Sequence, residues 1–98
     1  LDHNPFTIIE GVGGSFVPLE GRTLVADWIA ALELPSLMVV GSYLGTISHT
    51  LATLEAMQAR RLEVRAIVMS ESAGDNPPLD KTAEELGRLL ARCSDRAP

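Results

Sequence analysis

A glutamate followed by three glycines in four positions is the first feature of the sequence that could do chemistry. In the stretch IIEGVGG an apolar run of strand type ends at Glu10, and Gly11, Gly13 and Gly14 follow it. A turn needs about one glycine for a positive φ, so three glycines indicate a backbone that a ligand approaches closely. A carboxylate at a strand end is a frequent Mg²⁺ contact in phosphate-handling α/β proteins. The alternative is that Glu10 caps a helix or forms an ion pair.

The second candidate is GSYLGTISHT, residues 41–50, where a glycine turn leads into a helix. The first N–H groups of a helix lack intrahelical acceptors, so we expect the amides of Gly45, Thr46 and Ile47 to be free for an anion. The alternative is an ordinary loop in which Thr46 or Ser48 only caps the helix. His49 is more typical of a helix surface than of a ligand.

Other kinds of site are not indicated. No G-x-x-x-x-G-K-[ST] motif occurs, and the only lysine is Lys81. No His, Cys or Asp lies at metal-ligand spacing from His49, which argues against a zinc site. Ser70 and Ser72 have no visible base for nucleophilic catalysis. Cys93 lies on an apolar helix stripe and is predicted to be a core residue.

The composition limits the possible partners. The chain has 98 residues and a formal net charge of −5, which argues against nucleic-acid binding. No apolar run approaches the roughly 20 residues of a membrane span, and no signal peptide is visible. One cysteine is compatible with a reducing compartment. We therefore expect a cytoplasmic protein that is not bound to a membrane.

The apolar periodicity predicts three strands alternating with three helices. The predicted strands are Phe6–Ile9, residues 36–40 and Val64–Met69, and the predicted helices are Thr23–Leu34, Thr46–Arg61 and Leu79–Cys93. Thr23 is a candidate cap for the first helix, and Thr82 with Glu85 matches a capping box at the last, with Asp80 as the alternative cap. The continuous apolar run at 36–40 is typical of a strand covered on both faces.

Strands that alternate with helices imply right-handed crossovers and a parallel sheet. Ligands of such sheets bind outside the carboxyl ends of the strands, where EGVGG, GSYLG and SES all fall. We predict that residues 1–98 form a single, partial α/β domain. The start at Leu1 and the apolar surplus both favour a piece of a larger sheet.

Four motifs, in order, resemble the dethiobiotin synthetase family. They are EGVGG, ADW, LPSLMVV and LGTISHT, and the resemblance runs from about Thr7 to Ser70. It implies a three-layer P-loop-NTPase-like fold with a parallel sheet, of which this chain holds about three strands and three helices. The P-loop half of the family is absent, so we expect the isolated chain to be inactive.

The resemblance also implies an activity, an ATP-dependent cyclo-ligase of biotin biosynthesis that works as a homodimer. In that family 7,8-diaminononanoate takes up CO₂ as a carbamate, which attacks the γ-phosphate of Mg-ATP. The second amine then closes the ureido ring of dethiobiotin.

By the same resemblance, Glu10 contacts Mg²⁺, and the glycine loop lies along the active-site cleft. The residues implied to bind nucleotide are Glu10, Gly11, Gly13, Gly14 and Ser70. Those implied to bind the diamine substrate are Leu44, Gly45, Thr46 and Ser48, at a helix start that reaches the active site of the other subunit. Ser70 and Ser48 each stand where asparagine is common in the family.

Two other functions remain open. One is a related P-loop protein, such as an ATPase or a member of the cobyrinate amidotransferase group, although LGTISHT argues against it. The other is a non-catalytic dimerisation module that keeps the fold without the nucleotide site.

Overall fold

The computed structural model describes residues 7–11 and 13–96, with side chains as far as Arg92. The described elements, in chain order, are β1 (Pro18–Glu20), β2 (Thr23–Leu24), α1 (Val25–Leu32), β3 (Ser36–Gly41), α2 (Thr46–Ala59), β4 (Val64–Ser70) and α3 (Leu79–Arg96). They belong to two compact units, Leu1–Glu33 and Leu34–Pro98. None of the helices in these described ranges is both long and apolar enough to cross a bilayer.

The second unit is built on a parallel pair of strands, as the sequence predicts. β3 and β4 lie side by side, with Val39 opposite Val68 and Gly41 opposite Ser70. Two apolar runs separated by a helix give this pairing, because a helical crossover returns the chain in the same direction. Both strands extend one residue beyond their predicted ends, so the carboxyl edge is formed by Gly41 and Ser70.

The β3–β4 pair is covered less than the continuous apolar run predicts. Met38 and Val40 are half-buried, whereas Leu37 and Val39, on the opposite face of β3, are 64% and 68% exposed. The prediction of burial on both faces is therefore wrong for the described residues. Helices α2 and α3 contact the two strands, and the exposure of Leu37 and Val39 shows that neither helix covers this second face.

The helices α2 and α3 begin where the sequence predicts and differ at their ends or caps. α2 stops at Ala59 instead of Arg61, because Arg61 is left-handed (φ 59°) and a helix cannot continue through that conformation. α3 continues past Cys93 to Arg96. Thr82 lies inside α3, and its hydroxyl donates to the Pro78 carbonyl at 2.9 Å, so the predicted cap at Thr82 is wrong.

The first unit differs most from the prediction. Of the predicted strand Phe6–Ile9, Phe6 lies outside the described residues, and residues 7–9 form no strand because they pair with no neighbour in the described part of the chain. Ile8 is 74% exposed. The three predicted parallel strands therefore become two among the described residues.

A short antiparallel hairpin stands where a loop and a helix start were predicted. β1 and β2 pair across a two-residue turn that contains Gly21 (φ 54°), with Glu20 opposite Thr23. Thr23 is therefore a strand residue and does not cap α1. Leu24 is the N-cap, and its N–H donates to the Asp27 carboxylate at 2.7 Å.

Candidate functional site

The start of α2 is a left-handed glycine turn at the carboxyl end of β3. Gly45 is the N-cap, at φ 93°, a conformation that favours glycine. The Thr46 N–H donates to the Tyr43 carbonyl at 3.1 Å, and the His49 N–H donates to the Gly45 carbonyl at 3.1 Å. The expectation that the Thr46 amide is free is therefore wrong.

The expectation holds for Gly45 and Ile47, whose amides have no acceptor among the described residues, and Ser48 adds a further open donor. The amides of Ile47 and Ser48 have no acceptor among the described residues, because they lie in the first turn and no helical carbonyl precedes them by four residues. The Ser48 side chain is exposed. Two adjacent amides and one hydroxyl therefore point to an anion-binding capacity at the positive end of the α2 dipole.

The side chain of Thr46 has a structural role. Its hydroxyl donates to the Gly41 carbonyl at 2.6 Å, and the residue is 1% exposed. A buried hydroxyl that is already paired has no free proton for a ligand, so Thr46 holds α2 to the end of β3. The Thr46 hydroxyl therefore adds no donor for an anion in this geometry.

An open depression of about 180 Å³ lies beside the α2 start. Its lining includes Leu44, Gly45, Thr46 and Ile47 on one side, and Pro77, Thr82 and Glu85 on the other, with Tyr43 completing it. Leu44 is 82% exposed, which leaves an apolar surface available at the mouth. Three of the residues predicted to bind substrate thus lie together, and Ser48 follows them on the same helix.

Ser70 ends β4 directly beside Gly41, so the structure brings it to the same sheet edge as the α2 start. Its side chain is exposed. The predicted shared edge of GSYLG and SES therefore holds within the second unit.

Glu10 lies in the first unit, exposed and without a polar partner in the described residues. The ion pair and the helix cap that the sequence left open for it are not found in that part of the chain. The described residues also contain no group of three or more His, Cys, Asp or Glu side chains that could hold a metal. Glu10 is therefore a single open carboxylate.

The glycine loop has a conformational explanation for two of its three glycines. Gly13 and Gly14 have φ values of 89° and 113°, which side chains rarely adopt. A Cβ on Gly11 would meet Val25 Cγ1 at 3.4 Å, an ordinary contact. Beyond the glycines, the carbonyls of Ser15 and Val17 accept the Ala26 and Val25 N–H groups at 2.6 and 3.0 Å. The first amides of α1 are thus satisfied by the loop.

Comparison with known proteins places the chain in a family. The model of a family described as AAA domain matches residues 1–92. The chain belongs to the AAA domain family. This match is consistent with the α/β architecture and with the parallel pair β3–β4.

Individual relatives carry the name that the motifs suggest. The chain is 46% identical, over 83 residues, to the ATP-dependent dethiobiotin synthetase BioD of Acidiphilium cryptum, and this match covers 85% of the chain and 37% of the relative. It is 51% identical over 84 residues to the BioD of Caulobacter vibrioides, covering 86% of the chain and 36% of the relative. A bifunctional protein BioCD of Bordetella avium is 42% identical over 85 residues, or 84% of the chain and 17% of that protein.

The chain therefore spans a little over a third of the length of the BioD relatives. The sequence-based resemblance to dethiobiotin synthetases is confirmed. No solved structure matches the chain significantly.

Several contacts at the site were not predicted from the sequence. The Tyr43 hydroxyl and His49 Nδ1 are 2.8 Å apart, with ring centroids at 5.6 Å. Ser42 and Ser72 exchange hydrogen bonds between two loops. The six-residue spacing from Tyr43 to His49 was a usable signal, because it places one side chain before the turn and the other on the first turn of the helix. The Ser42–Ser72 pair, 30 residues apart, left no local signal.

Proposed function

We propose that this chain is the central and C-terminal portion of an ATP-dependent dethiobiotin synthetase, a cytoplasmic, homodimeric enzyme with a three-layer P-loop-NTPase-like fold. Identity of 46–51% to relatives of that name, over 85–86% of this chain, carries the proposal. The reaction would be the ATP-dependent carboxylation of 7,8-diaminononanoate by CO₂, with closure of the ureido ring.

Glu10 is the residue that would contact Mg²⁺. It fits this role because its carboxylate is exposed and unpaired among the described residues. A single protein carboxylate is compatible with Mg²⁺, which keeps several waters and uses substrate phosphates as further ligands. When bound, the ion would neutralise charge on the phosphates. A carboxylate presented on a glycine loop can approach such a group without steric interference from neighbouring side chains.

Gly11, Gly13, Gly14 and Ser70 complete the proposed nucleotide contacts. Gly13 and Gly14 hold a left-handed backbone that exposes peptide groups. The Ser70 hydroxyl, exposed at the end of β4, offers one donor and one acceptor where the family commonly has an amide side chain. A serine reaches less far than an asparagine, so we expect weaker discrimination between purine bases.

The α2 start would hold the carboxylate of the diamine substrate. The free amides of Ile47 and Ser48 supply two hydrogen bonds, and the Ser48 hydroxyl supplies a third. Leu44 offers apolar surface to the methylene chain. Glu85 lines the same depression and opposes an anion electrostatically, so the amides and the helix dipole must outweigh it.

The two alternative functions can be distinguished from the ligase by a growth test and by the coding sequence. A related ATPase or amidotransferase, or a dimerisation module, would not restore growth of a dethiobiotin-synthetase-deficient bacterium. We expect the full-length gene that encodes this chain to carry a P-loop about 100 residues upstream and to restore growth without biotin. Loss of growth when the P-loop lysine is replaced serves as the control. A coding sequence without a P-loop, or no restored growth despite soluble expression, would overturn the proposal.

A further inference from the structure

Two loops at the carboxyl edge of β3–β4 are joined by a reciprocal pair of hydrogen bonds. The Ser42 N–H donates to the Ser72 hydroxyl oxygen at 3.0 Å, and the Ser72 N–H donates to the Ser42 hydroxyl oxygen at 2.9 Å. Ser42 is 1% exposed. Both bonds are partly buried, so water competes with them less than with exposed hydrogen bonds and their geometry is held more firmly. We call this pair the serine clasp.

Gly41, the residue before Ser42, has no side chain and so leaves room for the serine clasp. A Cβ on Gly41 would lie 2.6 Å from Ser72 Oγ and 2.9 Å from Tyr43 Cδ1, closer than real Cβ contacts. Glycine is therefore required here by the approach of the second loop, not by a positive φ.

The clasp continues into the first turn of α2. Gly41 also accepts the Thr46 hydroxyl through its carbonyl at 2.6 Å, and Thr46 is 1% exposed. A continuous chain of short contacts thus runs from Ser72, through Ser42 and Gly41, to Thr46. At one end Ser70 is two residues from Ser72, and at the other Thr46 precedes the free amides of Ile47 and Ser48.

We propose that Ser42 and Ser72 are positioning residues that couple the loop after β4 to the α2 start. Neither serine contacts a ligand in this assignment. Each serine fixes the loop that carries the other serine. When a ligand orders one of the two loops, the conformational entropy lost in ordering the second loop is therefore smaller. The ligand identities rest on the function proposed above, in which Ser70 serves the nucleotide and α2 the substrate carboxylate. Because α2 would serve the other subunit, the clasp would link the two active sites of the dimer.

Amide hydrogen exchange of the ligand-free chain tests the clasp itself. Ser72→Ala removes the acceptor of the Ser42 amide, and Ser42→Ala removes that of the Ser72 amide. We expect exchange of the partner amide, 30 residues away in sequence, to become about fivefold faster in each variant. Ser36→Ala, at the opposite end of β3, is the matched control and should change neither amide. Unchanged exchange at both partner amides would overturn the clasp.

Binding linkage in the full-length protein tests the positioning role. The probes are a non-hydrolysable ATP analogue with Mg²⁺ and 7,8-diaminononanoate, and the quantity is the ratio of the analogue's Kd without and with the diamine. We expect a ratio of about 5 or more in the wild type and in Ser36→Ala, falling to near 1 in Ser72→Ala. A wild-type ratio of 1, or an equal ratio in Ser72→Ala, would overturn the coupling. Failure of the wild type to bind either probe would instead overturn the proposed function. The amide hydrogen exchange experiment would still test the serine clasp in that case.

Discussion

At the scale of single residues, two needs for glycine are visible in this chain, and one described glycine meets neither. Gly13 and Gly45 have positive φ values, Gly41 makes room for another loop, and Gly87 lies in the interior of α3 with nothing within 4 Å of its missing Cβ. The same substitution should therefore have opposite effects at different glycines.

We predict that Gly41→Ala destabilises the chain and that Gly87→Ala stabilises it. The first places a Cβ 2.6 Å from Ser72 Oγ and should lower the free energy of unfolding by about 1–3 kcal/mol. The second removes a flexible residue from a helix and should raise it by roughly 0.5–1 kcal/mol. Urea denaturation followed by circular dichroism measures both. Equal effects of the two substitutions would contradict the steric role of Gly41.

Glu10 has a matched control in Glu20, an exposed glutamate on the β1–β2 hairpin. Glu10→Gln in the full-length protein should lower the Mg²⁺-dependent turnover by about 10- to 100-fold, since a neutral amide is a poor ligand for a hard cation. Glu20→Gln should leave turnover unchanged. Steady-state rates across a Mg²⁺ titration provide the measurement. If Glu10→Gln retained the wild-type rate and Mg²⁺ dependence, Glu10 would not be a metal contact.

At the scale of elements, the sequence predicts what periodicity and crossover geometry determine. The parallel pair β3–β4 and the starts of α2 and α3 follow from apolar spacing and match the structure. The β1–β2 hairpin was missed because its strands have three and two residues, too short for a period-2 pattern. Residues 7–9 would form a strand only by hydrogen bonding to a neighbouring strand, and no local sequence pattern reveals that strand.

The same limit applies to the candidate site. The helix start and the positions of Ser70 and Gly45 are local features, so the sequence predicts them. The amides that remain open depend on how the turn closes: the Thr46 N–H bonds to the Tyr43 carbonyl, which removes one of the three predicted donors, while Gly45, Ile47 and Ser48 have no acceptor among the described residues. The serine clasp depends on two loops meeting, and only the folded chain shows it.

The α2 start makes a prediction about charge. Because Glu85 lines the same depression as the proposed carboxylate site, Glu85→Gln should lower the KM for 7,8-diaminononanoate by about two- to fivefold in the full-length enzyme. The KM for ATP should not change. The methyl ester of the substrate is the control, since it has no carboxylate for Glu85 to repel and should bind both forms equally. An unchanged KM for the acid, or an ester that binds as tightly as the acid, would argue against a carboxylate site here.

At the scale of the whole molecule, exposed apolar strand residues predict self-association of the 98-residue chain. Leu37, Val39 and Val68 lie on the open face of β3–β4, and Val39 is 68% exposed. Val39→Lys should shift the chain toward monomer, whereas Leu19→Lys, at a 53% exposed position on the hairpin, should not. Sedimentation equilibrium over a concentration series gives the mass. A monomeric wild-type chain at high concentration would contradict this prediction.

The ligase function is tested most directly by following labelled carbon. The full-length protein is incubated with 7,8-diaminononanoate, Mg-ATP and ¹⁴C-bicarbonate, and acid-stable label is separated from free CO₂ and compared with the ADP released. Label is expected in dethiobiotin, in a one-to-one ratio with ADP, only when ATP and the diamine are both present, and no label is expected with the 98-residue chain alone. ADP release without labelled dethiobiotin, or label that does not depend on ATP, would contradict the ligase function.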